Sequence, residues 1–155
     1  MNLMGLEEDI KQGKKFTNDY EKLLVNIMFT NSWLVEKQSA LFKPHGITTP
    51  QYNVLRILRG AFPEPCTINT LIDRMLDRMS NASRIVDRLE AKELVERKVC
   101  RSDRRAKDVV ITEKGLQVLE SIDEEMALWF KQFAGVDKEK VAACNEFLDE
   151  IRSAI

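Results

Sequence analysis

The spacing of apolar residues constrains the fold of this chain more than any other feature of its sequence. Over most of the 155 residues, apolar side chains recur three or four positions apart, and the six glycines and four prolines mostly fall between these runs. This period is that of an amphipathic α-helix, whereas a half-buried strand would alternate every second residue. The chain is therefore predicted to be mainly α-helical, and its hydrophobic content of 44% suffices for one compact domain or at most two.

The middle of the chain predicts two short helices followed by a β-hairpin. Thr67 can cap a short helix, and after a turn near Leu76 a second helix extends from about Ser80 to Lys92. The period then changes, because residues 94–100 and 109–112 carry β-branched side chains on either side of the polar run RSDRRAKD. Two short helices followed by a basic hairpin are typical of a winged helix-turn-helix. In that fold the second helix enters the DNA major groove and the hairpin, or wing, contacts the flank.

Longer helices are predicted on either side of this central region. One extends from about Lys15 to Phe42, one from the capping Thr112 to about Ala134, and a last one begins at Asp137. Their apolar stripes exceed what a small winged domain can bury, so we expect them to pair across a twofold axis. The predicted fold class is mainly α with a small β-hairpin wing, in which residues 48–112 form the winged helix-turn-helix and residues 15–44 and 113–155 form dimerisation helices.

Charge is distributed unevenly along the chain. The 24 Lys and Arg against 25 Asp and Glu give a net charge of −1, which excludes a uniformly basic, histone-like mode of nucleic-acid binding. Between Arg97 and Lys107, however, there are six basic residues and one acid, a local net charge of +5. At physiological salt, electrostatic attraction between a charged side chain and a DNA phosphate is screened beyond about 8 Å. A local cluster of basic residues therefore predicts a localised DNA contact. A solvated charged hairpin is the alternative.

The run SNASRIVDRLEAKELVERKVCRSDRRAKDVVITEKG combines an Asp-x-Arg element in the wing, residues 103–105, with a Thr-x-x-Gly helix start, residues 112–115. In these motifs and in the order of its helices, the chain resembles the MarR family of bacterial transcription regulators. The resemblance implies a homodimer that binds a pseudopalindromic operator in double-stranded DNA. Two positions depart from the family pattern: Glu93 replaces a glycine common after the recognition helix, and the glycine often seen in the helix-turn-helix turn is replaced around Leu76.

The second short helix carries the residues expected to read bases. Asn81, Ser83 and Arg84 fall in its first turns, where side chains reach base edges, and Arg84 has the donors to read a guanine. Arg88 lies one turn further on the same face and can reach a base or a phosphate. The alternative for Arg88 is an ion pair with acidic residues of its own helix, such as Glu90.

The wing is expected to contact the DNA flank. Arg105 resembles the family's wing-tip arginine, which enters the minor groove, and Asp103 would brace its guanidinium through charge-assisted hydrogen bonds. Arg104 is expected to meet phosphate. The predicted DNA-binding set is Ser80, Asn81, Ser83, Arg84, Arg88, Arg101, Asp103, Arg104, Arg105 and Lys107.

The resemblance also implies a small-molecule pocket between the dimerisation helices and the winged region, often one for aromatic acids. The candidate lining residues are Phe29, Trp33, His45, Tyr52 and Trp129. Aromatic side chains at helical spacing also serve as core residues, and that alternative stays open.

The three cysteines, Cys66, Cys100 and Cys144, show no CxxC spacing, which argues against both a zinc site and a secretory disulfide framework. We expect reduced, packed thiols. A thiol-based redox sensor is the alternative, chiefly at Cys100, which has Lys98 and Arg101 nearby.

Other classes of protein find little support in the sequence. There is one histidine, His45, and no phosphate-binding glycine loop, HExxH or Gly-x-Ser-x-Gly motif, so we expect neither an enzyme nor a cofactor or metal site. No run approaches the roughly 20 apolar residues of a membrane span, and the N-terminus lacks the basic segment followed by an apolar one that marks a signal peptide. A cytoplasmic location is therefore expected.

The sequence predicts a DNA-binding, homodimeric repressor released by a small effector. A regulator that acts mainly through protein partners is the rival hypothesis.

Overall fold

The computed structural model describes residues 5–99 and 107–154, and the chain divides into two compact units, residues 1–49 and residues 50–155. The elements confirm the predicted fold class, mainly α-helical with one antiparallel β-hairpin. In chain order they are α1 (Leu6–Asp9), α2 (Asp19–Phe42), a 3-10 turn (Lys43–His45), α3 (Thr49–Ala61), α4 (Ile68–Arg74), α5 (Ala82–Glu90), β1 (Val95–Val99), β2 (Lys107–Ile111), α6 (Glu113–Lys131) and α7 (Lys138–Ser153).

The start of α2 is set by a capping box. The Asn18 side chain accepts a hydrogen bond from the Glu21 amide at 2.9 Å, and the Glu21 carboxylate accepts one from the Thr17 amide at 2.7 Å. The first contact satisfies an amide of the first helical turn, and the second engages the amide of Thr17, the residue before the N-cap. The helix therefore begins at Asp19 rather than near Lys15, where the apolar pattern starts.

The N-terminal segment contributes an element that the apolar pattern did not predict. The short helix α1 buries Leu6, which is 6% exposed, and its Glu7 carboxylate accepts a hydrogen bond from Lys22 of α2 at 2.6 Å. The ammonium of Lys22 lowers the pKa of Glu7. Despite these contacts, α2 buries only Phe42 and exposes large apolar side chains. These are Tyr20, Leu24, Met28, Trp33 and Val35.

The second unit has a dense core to which helices α3 to α6 and the hairpin all contribute. Side chains that are at most 1% exposed come from each of these elements, so the winged region buries a hydrophobic interior of its own. They are Val54, Leu55, Leu58, Leu71, Val86, Leu89, Val109, Leu119 and Ile122.

The hairpin pairs β1 with β2 in antiparallel register, from Val95 opposite Ile111 to Val99 opposite Lys107. A third backbone segment joins its edge. Cys66 and Val109 exchange two backbone hydrogen bonds, each 2.8 Å long, just before α4 begins. The base of the hairpin is therefore tied directly to the helix-turn-helix.

The junction between the hairpin and α6 explains the Thr-x-x-Gly motif. The Thr112 hydroxyl accepts a hydrogen bond from the Gly115 amide at 3.1 Å and donates one to the Glu93 carbonyl at 2.8 Å. A Cβ added at Gly115 would lie 2.3 Å from the Leu94 carbonyl oxygen, so only glycine fits this close approach.

The last helix, α7, was predicted to carry an apolar stripe that exceeds what the winged region can bury. In the described part of the chain α7 buries none of its side chains, and Cys144, predicted to be a packed thiol, is exposed. The large apolar side chains that are exposed from the end of α6 onward are Leu128, Phe130, Phe133, Val136, Val141 and Phe147. Over residues 5–99 and 107–154, no helix has the length and apolar character needed to cross a membrane.

Candidate nucleic-acid interface

Helix α5 has two different faces: an apolar face that is buried in the core and a polar face that is exposed. Its buried residues, Ala82, Val86 and Leu89, follow helical spacing, so Ser83 and Arg84 are left on the exposed side. The helix therefore has the position and amphipathic character expected of a recognition helix.

Asn81 precedes this helix rather than lying within its first turns. It is the N-cap, and its side-chain oxygen accepts a hydrogen bond from the Arg84 amide at 3.0 Å. Ser80 lies one residue earlier, and its hydroxyl donates to the Asp77 carboxylate at 2.6 Å. These two residues fix the start of α5, and any base contact they make must use their remaining donors or acceptors.

The arginines on the outer face of α5 have no acidic partner. Among the residues that the structure describes, no carboxylate lies within ion-pair distance of Arg84 or Arg88, and both side chains are exposed. The alternative for Arg88, an ion pair on its own helix, is not formed, because Asp87 and Glu90 bind another arginine. The guanidinium groups of Arg84 and Arg88 are thus available to a ligand of opposite charge.

That other arginine is Arg97, which sequence counting placed in the basic wing. Its guanidinium donates to Asp87 at 2.5 Å and also to Glu90, and the side chain is 21% exposed. The hydrogen bond to Asp87 and the charge of Glu90 raise the pKa of Arg97. Arg97 therefore ties β1 to α5, and the net charge of +5 overstates what the wing can offer to phosphate. Sequence reasoning missed this pairing, because the pairing depends on how the hairpin packs against the helix.

The remaining wing candidates lie at or beyond the edge of what the structure describes. Lys107 begins β2, whereas Arg101, Asp103, Arg104 and Arg105 lie outside the described residues. Their roles stay predictions. Val99 and Lys107 form the last antiparallel pair of the described hairpin.

Glu93, which departs from the family's glycine, adopts the backbone conformation that glycine favours. Its φ of 62° lies in the left-handed region, where a Cβ is strained. The carboxylate accepts a hydrogen bond from Lys114 at 2.8 Å, which lowers the pKa of Glu93. The resemblance therefore identified a position with a special backbone geometry, although the residue differs.

The cysteines do not form a shared site. Cys66 is buried at 5% exposure, and burial raises the pKa of its thiol, as expected for an inert packed cysteine. Cys144 is exposed, and Cys100 lies outside the described residues. Within the described ranges, no group of three or more His, Cys, Asp or Glu side chains could hold a metal ion.

The five candidate effector residues divide between the two units. Phe29 and Trp33 line an open cavity of about 540 Å³ in the first unit, and His45 lies in the 3-10 turn. In the second unit, Tyr52 accepts a hydrogen bond from Arg56 at 2.9 Å, and Trp129 has an edge contact with Phe133, with ring centroids 5.2 Å apart. A single pocket formed by all five stays a prediction. The other residues lining the cavity, not predicted from sequence, are Gly5, Leu6, Asp9, Lys22, Asn26 and Thr30.

Comparison with known proteins gives concordant matches. A model of the MarR family matches residues 45–106. The HTH-type transcriptional regulator MhqR of Bacillus subtilis is 32% identical over 108 residues, which cover 69% of this chain and 73% of MhqR. A MarR-like transcription regulator from Bacillus cereus superposes with a TM-score of 0.77 at 20% identity, covering 88% of this chain and 98% of that one. MepR of S. aureus, solved in complex with DNA, has a TM-score of 0.73 at 18% identity, covering 84% and 94%.

These matches differ in what they establish. The two structures, at 20% and 18% identity, establish the fold, whereas the MhqR alignment at 32% identity spans more than two thirds of both chains. The family model covers helices α3 to α5 and strand β1, and it ends before β2 begins. Sequence and fold agree, and the chain belongs to the MarR family of transcriptional regulators, a family of regulators rather than enzymes.

Proposed function

We propose that this chain is a homodimeric repressor that binds a pseudopalindromic DNA operator and leaves it when a small molecule binds. Each copy inserts α5 into the major groove of one half-site and lays its wing along the flank. The observation that carries the proposal is the outer face of α5, where Arg84 and Arg88 are exposed and lack acidic partners in the described chain. A regulator that works on chromosomal DNA acts in the cytoplasm, and that location is part of the proposal.

The exposed apolar surfaces of the long helices support the dimer. Tyr20, Leu24 and Met28 are spaced four residues apart on α2 and are 80%, 54% and 69% exposed. Exposed apolar surface of this kind marks a site where another protein packs, and a second copy of the chain is the partner that we propose. A twofold axis also matches the symmetry of a pseudopalindromic operator.

The cavity beside Phe29 and Trp33 supports an effector of small, partly aromatic character. Its two aromatic side chains offer stacking surfaces, and the polar side chains of Asn26 and Thr30 line the cavity beside them. Binding there would alter the contacts of α1 with α2, the helix that we assign to the dimer. Release from DNA then follows if the two bound states favour different arrangements of the dimer.

The proposal is tested by selecting sequences from random duplex DNA with the purified protein. We expect an enriched inverted repeat whose half-sites lie about 10 base pairs apart, or a multiple of that distance. Arg84→Ala should weaken binding of the selected duplex by 1–3 kcal/mol, on the order of ten- to a hundredfold. Lys14→Ala, which removes one exposed charge from the N-terminal segment, is the control and should leave affinity within about twofold. Recovery of no enriched sequence would contradict the proposal.

A further inference from the structure

The turn between α4 and α5 exposes two apolar side chains that the fold does not use. Met79 is 94% exposed and Leu76 is 89% exposed, the two highest values among the large hydrophobic side chains of the described residues. An apolar side chain held almost entirely in water suggests a contact made with another molecule. Neither residue was among the predicted DNA-binding residues.

The turn is held in one conformation by hydrogen bonds. The Leu76 amide donates to the Asn53 side chain at 3.0 Å, and the Met79 amide donates to one oxygen of the Asp77 carboxylate at 3.0 Å. The other Asp77 oxygen accepts the Ser80 hydroxyl at 2.6 Å. These contacts lower the pKa of Asp77. The backbone that carries Leu76 and Met79 is thus presented by a built turn.

The charge around the two side chains favours a polyanion as the partner. Arg78 lies between them in the chain, is exposed, and has no acidic partner among the described residues. Asp77, the acid next to it, has both carboxylate oxygens engaged within the turn. The turn therefore offers an unpaired guanidinium flanked by apolar groups, a combination suited to phosphate and to the methyl group of thymine.

The position of the turn favours the same DNA that α5 is proposed to read. One residue, Ser80, separates Met79 from Asn81, the N-cap of α5, and the N-terminal residues of a recognition helix are those that contact base edges. Because the turn is continuous with the N-terminus of α5, we expect it to contact the same DNA. In the major groove, thymine presents a C5-methyl group that apolar side chains contact.

We propose that Met79 and Leu76 contact thymine C5-methyl groups in each half-site, and that Arg78 binds an adjacent phosphate. The proposal rests on the proposed function of α5 as the recognition helix. In this proposal the turn adds a preference for thymine through apolar contacts. This preference is separate from the one that the hydrogen bonds of Arg84 provide.

The test replaces thymine by deoxyuridine, which removes only the methyl group. On the operator selected by the wild-type protein, each thymine of a half-site is replaced in turn, and the Kd is measured for wild type, Met79→Ala, Leu76→Ala and Met79→Leu. We expect one position at which deoxyuridine weakens wild-type binding about fourfold per half-site, the equivalent of one buried methyl group. Met79→Ala should bind the thymine operator about as weakly as wild type binds the deoxyuridine operator. Replacing thymine by deoxyuridine at that position should not change the Kd of Met79→Ala. Leu76→Ala should likewise lose its sensitivity to deoxyuridine at a second position. The control Met79→Leu should retain most of the wild-type preference for thymine over deoxyuridine.

Each other outcome separates this inference from the proposed function. If wild type binds its operator but no deoxyuridine position matters, or the loss is the same in wild type and both alanine variants, the inference is overturned and the role of α5 stands. A changed oligomeric state by light scattering, with unchanged DNA affinity, would assign the turn to a protein contact and also overturn it. If wild type selects no sequence, the proposed function fails and this inference fails with it. Thermal unfolding checks that the variants are folded, since side chains this exposed contribute little to stability.

Discussion

Two parts of the winged region use the same residue type in opposite ways. On the outer face of α5, Arg84 and Arg88 have no acidic partners in the described chain, whereas at the base of the hairpin Arg97 is held by Asp87 and Glu90. A guanidinium already bonded to two carboxylates must lose those bonds before it can bind phosphate. Tertiary pairing therefore decides which arginines are available for DNA, and a count of charges along the sequence overestimates their number.

Mutations in the two parts should have different consequences. Changes at the hairpin base should lower the free energy of unfolding, because side chains and backbone there tie β1, α5 and α6 together. Changes on the outer face of α5 should lower DNA affinity and leave stability nearly unchanged, because those side chains contact mainly solvent.

The largest effect is expected at the junction between the hairpin and α6. Gly115→Ala should reduce the free energy of unfolding by about 3 kcal/mol, because its Cβ would lie 2.3 Å from the Leu94 carbonyl oxygen and 2.7 Å from Ile111. Gly135→Ala is the matched control, since a Cβ there meets nothing within 4 Å. Chemical denaturation of both variants measures the difference. Equal stability of the two would contradict the close approach at Gly115.

The next effect concerns DNA affinity. Arg88→Ala should weaken operator binding by 1–3 kcal/mol if the side chain reads a base, with relaxed preference at one position of each half-site. If it binds phosphate instead, the loss should be uniform across sequences and the slope of log K against log salt should fall by about one. Arg88→Lys separates these cases, since lysine keeps the charge but not the bidentate geometry. Wild-type affinity in Arg88→Ala would remove Arg88 from the interface.

A smaller effect is expected at Arg97. Arg97→Met keeps the apolar stem but removes the hydrogen bonds to Asp87 and Glu90, and should destabilise the fold by about 1 kcal/mol, since both carboxylates are more than 40% exposed. Asp87→Asn should produce a similar or smaller loss. Urea denaturation of the two single variants and the double variant checks the coupling. Strictly additive effects would show that the two side chains do not interact in solution.

The smallest effect is expected at Glu93 and has the opposite sign. Glu93→Gly should raise the midpoint of thermal unfolding by about 2 to 4 °C, because glycine adopts the observed φ of 62° without strain. Glu93→Ala keeps the strain and loses the exposed contact with Lys114, so its midpoint should fall slightly or stay the same. Differential scanning calorimetry resolves shifts of this size. A lower midpoint for glycine than for alanine would contradict the left-handed conformation.

Local features of the fold were predictable from sequence. The helices, the hairpin and the caps Thr67 and Thr112 follow from apolar spacing and from side chains that accept the orphan amides of a first helical turn. Asn81 is also a residue type that caps helices, but it was predicted to lie within the first turns of α5 and to read bases. Contacts between elements were not predictable. The pairing of Arg97 depends on how the hairpin lies against α5.

The candidate site shows the same limit. Arg84 and Arg88 were predicted from their position on a helical face, and the structure leaves that face exposed. The exposure of Met79 and Leu76 carried no sequence signal, because apolar residues between two helices are equally typical of a buried turn. In α7 the apolar spacing predicted a stripe for pairing across a twofold axis, and the helix buries none of its side chains within the described chain. Periodicity identifies an apolar face but not the molecule that covers it.

The most direct test of the division between the two parts measures stability and DNA affinity together on Arg84→Ala and Arg97→Ala. Thermal unfolding and a salt titration of binding to the selected operator are recorded for both variants and wild type. We expect Arg84→Ala to unfold at the wild-type temperature but to bind on the order of ten- to a hundredfold more weakly. We expect Arg97→Ala to unfold at a lower temperature and, below this temperature, to keep the wild-type affinity and salt dependence. Loss of DNA affinity in a stable Arg97→Ala, or wild-type affinity in Arg84→Ala, would contradict the division between the two parts.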